Sequence, residues 1–277
     1  MGYREKLIRA QEANNSWVCV GLDPDPARMP ELPELKGTDG LAAFCAAIVE
    51  ATHDVVCAFK PNLAFFLAHG SAGLAALETV LEGIPTDIPV LLDAKSGDIG
   101  NTQVRYGQAA FGTWGMDAMT VSPYVGQDAV LPLLEAYPGV GLYVLARTSN
   151  PGAQRFQDYP GEGMMLYQNV VEAVRGWQLE AAQSTLGLVI GATYPGELES
   201  VREAAPELPF LIPGIGAQGG DLAAAARYGA TDNGLGPLIS ASRSILYASS
   251  GTDYAQAARQ AALAMRDAIN TARQEAG

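Results

Sequence analysis

The feature that most constrains this chain is an alternation. Short apolar runs, each closed by Gly, Pro or polar residues, are followed by helical patterns from one end of the sequence to the other. The runs lie at 17–23, 55–62, 88–95, 118–124, 140–148, 186–193 and 210–216, with a weaker one at 234–240. Between them come stretches rich in Ala, Leu, Glu and Gln, such as 40–52, 102–114, 167–183, 219–228 and 252–275, which predict helices. Near-continuous apolar strands alternating with helices require a parallel sheet covered on both faces. Eight such units fit an α/β fold of the (β/α)8 barrel type, the TIM barrel, better than an open sheet.

No linker, low-complexity tract or composition shift divides the sequence, so residues 1–277 are expected to form a single barrel domain. Residues 1–14 predict an extra helix, either a lid across the bottom of the barrel or a surface element. At 48% hydrophobic and 17% charged residues, the chain is too apolar to be disordered. Its 17 Lys+Arg against 30 Asp+Glu give a net charge of −13, which argues against nucleic acid or an anionic membrane as partner. Cys19, Cys45 and Cys57 are odd in number and widely spaced, as expected of buried thiols in a reducing cytoplasm. Two histidines make a His-rich metal site a poor expectation. No apolar stretch reaches the roughly 18 residues of a membrane span, and the charged N-terminus lacks a signal-peptide core.

In a barrel of this type the catalytic side chains stand at the C-terminal ends of the strands. The third run reads Leu-Leu-Asp93-Ala-Lys95 and continues Ser-Gly-Asp98. Side chains two apart on a strand share a face, so Asp93 and Lys95 are expected to point together toward a ligand. Asp98 falls on the loop beyond, where it can reach back or across to a neighbouring subunit. Lys60 and Asp23 end the second and first runs at the same height. A structural ion pair would explain Asp93 and Lys95, and a solvated surface residue Lys60. Four charges from three adjacent strands fit neither explanation well. A lysine between two carboxylates about 4 Å away gains roughly 4 kcal/mol from each, before desolvation, at an effective dielectric near 20. Such a lysine serves as an acid rather than a nucleophile.

On the other side, Pro213-Gly-Ile-Gly-Ala-Gln-Gly-Gly220 leads into a helix, and Ser240-Ala-Ser-Arg243-Ser-Ile245 opens another. Glycine-rich turns at helix N-termini let backbone N–H groups approach an anion, though the same pattern also suits a plain tight turn. The loops after strands seven and eight are the usual phosphate seat of this fold, with Arg243 able to fork two phosphate oxygens.

With these residues in hand, the sequence closely resembles the orotidine 5′-monophosphate decarboxylase family. Asp93-Ala-Lys-Ser-Gly-Asp-Ile-Gly-Asn-Thr102 fits its Asp-x-Lys-x-x-Asp signature. Phe59-Lys-Pro-Asn, Pro213-Gly-Ile-Gly-Ala-Gln-Gly and Ser242-Arg-Ser-Ile follow in the family's order, and Phe-Lys-Pro-Asn with Arg147-Thr-Ser-Asn-Pro-Gly resembles its longer bacterial branch. The resemblance implies a cytoplasmic homodimer that converts orotidine 5′-monophosphate to UMP and CO2 in de novo pyrimidine synthesis, without metal or cofactor. It further implies a charged tetrad of Lys60, Asp93, Lys95 and, from the partner subunit, Asp98, with Lys95 donating the proton to C6. Asp23 would contact ribose hydroxyls and Thr102 would cross the interface with Asp98. Ser149 would face the pyrimidine, and Gln218 and Arg243 would hold the phosphate, over which the 216–220 loop would close.

Gly100 stands where a more rigid residue is common, which leaves the loop bearing Asp98 freer. Residues 150–163 form a polar excursion over the same face, either a solvated loop or a cover for the base. The signature also occurs in metal-dependent sugar-phosphate decarboxylases and aldolases of the same superfamily, but the absence of a Glu beside Lys60 disfavours them. A non-catalytic phosphate binder would have no need of a lysine held between acids.

Overall fold

The computed structural model describes residues 1–161, 163–181, 183–215, 220–232 and 234–276. Eight parallel strands, β1 (Val18–Leu22), β2 (Ala58–Pro61), β3 (Leu91–Ser96), β4 (Ala118–Val121), β5 (Gly141–Arg147), β6 (Thr185–Ile190), β7 (Phe210–Pro213) and β8 (Leu238–Ala241), form one sheet in the order β2-β1-β8-β7-β6-β5-β4-β3. Isolated parallel bridges Phe59–Val90 and Asn62–Asp93 join β2 to β3, and Phe59 N–H donates to Pro89 O at 3.0 Å. The sheet thus closes into the expected (β/α)8 barrel. In β1, β2, β4, β6 and β8 every residue is buried. That is the cause of the unbroken apolar runs: one face of each strand lines the barrel and the other meets the helices.

The helices are α1 (Tyr3–Ala13), α2 (Gly37–Thr52), α3 (Leu63–Leu67), α4 (Gly70–Glu82), α5 (Gly100–Gly107), α6 (Leu131–Ala136), α7 (Gln154–Gln157), α8 (Leu166–Glu180), α9 (Pro195–Ala204), α10 (Leu222–Gly229), α11 (Arg243–Leu246) and α12 (Tyr254–Ala276). Local chemistry sets several starts: Asn62 accepts from Ala64 N–H to cap α3, and Asp221 accepts from Ala224 N–H to cap α10. Among the described residues, no helix is long and apolar enough to cross a membrane.

Two elements differ from expectation. The helix expected over 102–114 is split, α5 giving way to a π-helical turn over Gln108–Thr113. Gly107 lies so close to α6 that a Cβ there would meet Leu133 and the Tyr137 ring below 3.0 Å, so packing fixes the helix where the turn begins. The eighth strand begins at Leu238, four residues later than residue 234. Thr231 and Leu235 close a turn on each other, Gly236 exchanges two hydrogen bonds with the Gln11 side chain, and Pro237 has no N–H for a ladder.

At the N-terminal mouth, α1 covers the barrel. Tyr3 and Leu7 are buried against Cys19, Cys57, Leu91, Ala118, Tyr143 and Leu211. The Tyr3 and Tyr143 hydroxyls are 2.7 Å apart, and Lys6 pairs with Asp117 at 2.7 Å. Gly141 opens the space for the Tyr3 ring, since a Cβ there would sit 2.4 Å from Tyr3 Cδ1. With the bottom closed in this way, ligands are left the opposite, C-terminal mouth.

Candidate active site

Asp93 is the centre of the charged group at the C-terminal mouth. Its Oδ2 accepts from Lys60 Nζ at 2.9 Å, and its Oδ1 from Lys95 Nζ at 2.5 Å and from Thr120 Oγ1 at 3.0 Å. Lys60 comes from β2 and is buried, whereas the Lys95 side chain is about half exposed to the mouth. Burial alone would lower the Lys60 pKa, but the Asp93 and Asp23 carboxylates outweigh it and hold the ammonium above the ordinary lysine value. Burial alone would likewise raise the Asp93 pKa, and the two lysines overcome it, keeping the carboxyl well below the usual range.

Lys95 is reached by an unusual backbone. Its φ is +49°, a left-handed conformation that costs a non-glycine residue roughly 1–2 kcal/mol. The β3–β4 register shifts between Leu92 and Ser96, and Lys95 N–H donates to Thr120 Oγ1 at 2.9 Å. Thr120 therefore holds both the strained backbone of Lys95 and the carboxylate that Lys95 faces. Strain of this kind persists where the surroundings over-determine it, and it concentrates at functional sites.

Asp23 stands at the end of β1, and its Oδ1 is buried with no hydrogen-bond partner among the described residues. The turn that carries it is fastened by Tyr247, whose hydroxyl donates to Asp23 O and accepts from Asp25 N–H, both at 2.7 Å. Asp98 lies on the loop after β3. Its carboxylate accepts from Ile99 N–H at 2.8 Å, and among the described residues it forms no ion pair with Lys95 or another cation. Its own N–H is held by the fully buried Gln103, which also donates to Ser96 Oγ and Ala129 O. Thr102 is exposed on α5.

Two cavities meet at the charged group. One, of about 200 Å³, is bounded by Asp23, Lys60, Asp93, Pro213, Ser242 and Arg243. The other, of about 550 Å³, shares Lys60, Asp93 and Pro213 and extends past Lys95 to Ser149 and Phe156. The structure thus brings Asp23, Lys60, Asp93, Lys95, Ser149 and Arg243 around one continuous space. It leaves Asp98 and Thr102 outside that lining. Gln218 and most of the 216–220 loop lie outside the described residues. Thr120, Gln103 and Tyr247 were not singled out from sequence; the available signals were a lone hydroxyl inside an apolar strand and a Gln on the inward side of a helix. Among the described residues no three His, Cys, Asp or Glu side chains are grouped as a metal would require.

The whole chain, with this pair of lysines around a carboxylate at its mouth, is similar in sequence and fold to known proteins. The family model described as "Orotidine 5'-phosphate decarboxylase / HUMPS family" matches residues 16–261. The orotidine 5′-phosphate decarboxylase of Thermomicrobium roseum is 49% identical over 278 residues, covering 99% of this chain and 97% of that one. Among solved structures, the putative orotidine-monophosphate decarboxylase of Toxoplasma gondii superposes with a TM-score of 0.89 at 37% identity, covering 98% of this chain and 97% of that one. The OMP decarboxylase of Leishmania donovani gives 0.85 at 36% identity, covering 99% and 100%. A match over nearly the whole length, carried by the same barrel, means that this chain belongs to the orotidine 5′-phosphate decarboxylase / HUMPS family.

Proposed function

We propose that this protein decarboxylates orotidine 5′-monophosphate to UMP and CO2 in the cytoplasm, as the last step of de novo UMP synthesis, using a single barrel domain and neither metal nor organic cofactor. The observation that carries the reading is the Lys60–Asp93–Lys95 array where the two cavities join. In the reaction the bond from C6 to the carboxyl carbon breaks and CO2 leaves. The electron pair stays in the ring plane on C6, where no π-system absorbs it. Lys95 Nζ stabilises that charge and gives its proton to C6, forming the C6–H of UMP, then regains a proton from solvent. Asp93 faces the departing carboxylate, and Lys60 holds Asp93 in place.

The smaller cavity suits the ribose and phosphate. Asp23, with an unsatisfied buried oxygen, accepts from ribose hydroxyls; Arg243 and Gln218 take the phosphate. Ser149 faces the pyrimidine in the larger cavity. Closure of the 216–220 loop over the phosphate would draw on binding energy remote from C6 and exclude water.

Asp98 and Thr102 are assigned to the neighbouring subunit's site in a homodimer. Support comes from an exposed apolar face beside them. Ser122 N–H donates to Ser96 O at 2.7 Å, laying the segment of Tyr124 and Val125 alongside that of Asp98 and Ile99, and Ile99, Tyr106 and Tyr124 are all exposed.

The deciding experiment follows the loss of orotidine monophosphate absorbance with and without a chelator. Chelator-insensitive turnover is expected. Chelator-sensitive turnover of a sugar phosphate instead, or neither activity, would overturn the proposal.

A further inference from the structure

Arg147, at the end of β5, is the largest fully buried side chain among the described residues, only 1% exposed. A buried guanidinium needs partners; its hydrogen-bond partners lie on the segment that follows it, while Nε has none among the described residues. Nη2 pairs with Asp158 Oδ2 at 3.1 Å, and Nη1 donates to Gln157 Oε1 at 3.3 Å. Its planar face lies over the Tyr194 ring at 4.2 Å, and Glu197 Oε1 is 4.0 Å away. The chain therefore leaves β5 at Arg147, makes an excursion, and returns at 157–158 to bind the residue it left from.

Gln157 tightens the same closure. Its Oε1 accepts from Thr148 N–H at 2.9 Å, its Nε2 donates to Thr148 Oγ1 at 2.9 Å, and Thr148 Oγ1 donates to Asn150 Oδ1 at 2.7 Å. Thr148, Ser149, Asn150, Phe156 and Gln157 line the larger cavity, whereas Arg147 itself does not. A buried ion pair is poor evidence of stabilisation for its own sake. This one is spent on shape, because it pinches the base of the segment that walls one side of the site. Of the 150–163 excursion, Asn150, Gly152, Ala153, Phe156 and Gln157 stand in the cavity lining.

We propose that Arg147 is a positioning residue for the pyrimidine end of the ligand, acting by clamping the 148–158 segment through Asp158 and Gln157. The inference rests on the nucleotide reading of the site given above. It assigns the affinity for the base to a residue that never touches it. The phosphate and ribose groups, Arg243 and Asp23, lie in the other cavity and do not depend on the clamp.

The test compares Arg147→Lys, which keeps the charge but lacks the fork, with Asp158→Asn, which leaves the arginine in place. Both are assayed for decarboxylation and for inhibition by UMP and by ribose 5-phosphate, which lacks the base. KM and the UMP inhibition constant are expected to rise about tenfold, the scale of one charge-assisted hydrogen bond. Inhibition by ribose 5-phosphate should stay within about twofold and kcat within about threefold of the parent, since neither the phosphate seat nor Lys95 is touched. Parallel weakening of ribose 5-phosphate would mean general damage and overturn the inference. So would folded variants with unchanged KM and UMP inhibition. If the buried lysine prevents folding, as judged by circular dichroism, Asp158→Asn decides on the same criteria. Absence of turnover in the unaltered protein would instead sink the nucleotide reading, before any variant is made.

Discussion

A single carboxylate organises the charged group at the smallest scale. Asp93 accepts from two lysines and a threonine, so one carboxylate positions both ammonium groups, Lys60 on Oδ2 and Lys95 on Oδ1. Lys95→Ala is expected to lower turnover by more than about a thousandfold, since both the cation and the proton are lost. UMP should still bind that variant, measurably by calorimetry, because the ribose and phosphate contacts are intact. The pair also couples protonation to folding. Asp93 has a folded pKa below its unfolded value, so its contribution is present above the ordinary carboxylate range and is withdrawn as pH falls through the lowered value. The unaltered protein should therefore lose more stability between pH 5 and pH 3 than Asp93→Asn does, in paired urea titrations. Asp23, Lys60, Asp93 and Lys95 were legible in the sequence because charge at the end of an apolar run is costly without a use. Thr120 was not: a threonine inside a strand is also what β-propensity favours. The left-handed backbone at Lys95 leaves no trace in residue type either, since nothing but the surrounding bonds imposes it.

Among the elements, the eight strands were readable because each is buried on two sides. The eighth was misplaced by four residues because its boundary is set by Gln11, on α1, more than two hundred positions away. The break in the helix after β3 was hidden for a similar reason, being a matter of contact with α6. The lid and surface readings of the first helix could not be separated by pattern, whereas the structure places Tyr3 in the barrel mouth against Tyr143. That mouth is the end remote from the charged group. Tyr3→Phe would leave the buried Tyr143 hydroxyl without its partner, at a cost of about 1–2 kcal/mol. A lower denaturation midpoint with unaltered KM is the expected result; a change in KM would show that the two ends of the barrel communicate.

At the scale of the whole molecule, the proposed site needs a second chain, since among the described residues Asp98 forms no ion pair with Lys95 of its own barrel. Lys95→Ala and Asp98→Ala proteins, each inactive alone, should regain activity when mixed. Random re-pairing gives half heterodimers with one intact site each, hence about a quarter of the native rate. No recovery after verified subunit exchange would place Asp98 elsewhere in the mechanism. The net charge of −13 belongs to this scale too. It describes the outer helices and solubility, while Lys60, Lys95 and Arg243 are gathered at one mouth.

The join between β2 and β3 gives the barrel a further property. Seven neighbouring pairs in the cylinder are knitted by ladders, but this one is closed by the isolated bridges at Phe59–Val90 and Asn62–Asp93. Lys60 and Asp93 stand on opposite sides of it, so their ion pair works as a clasp across the thinnest stretch of the wall. The groups proposed to meet the substrate would thereby also be the fastening of the cylinder, and a substitution that discharges either one should loosen the container along with its contents.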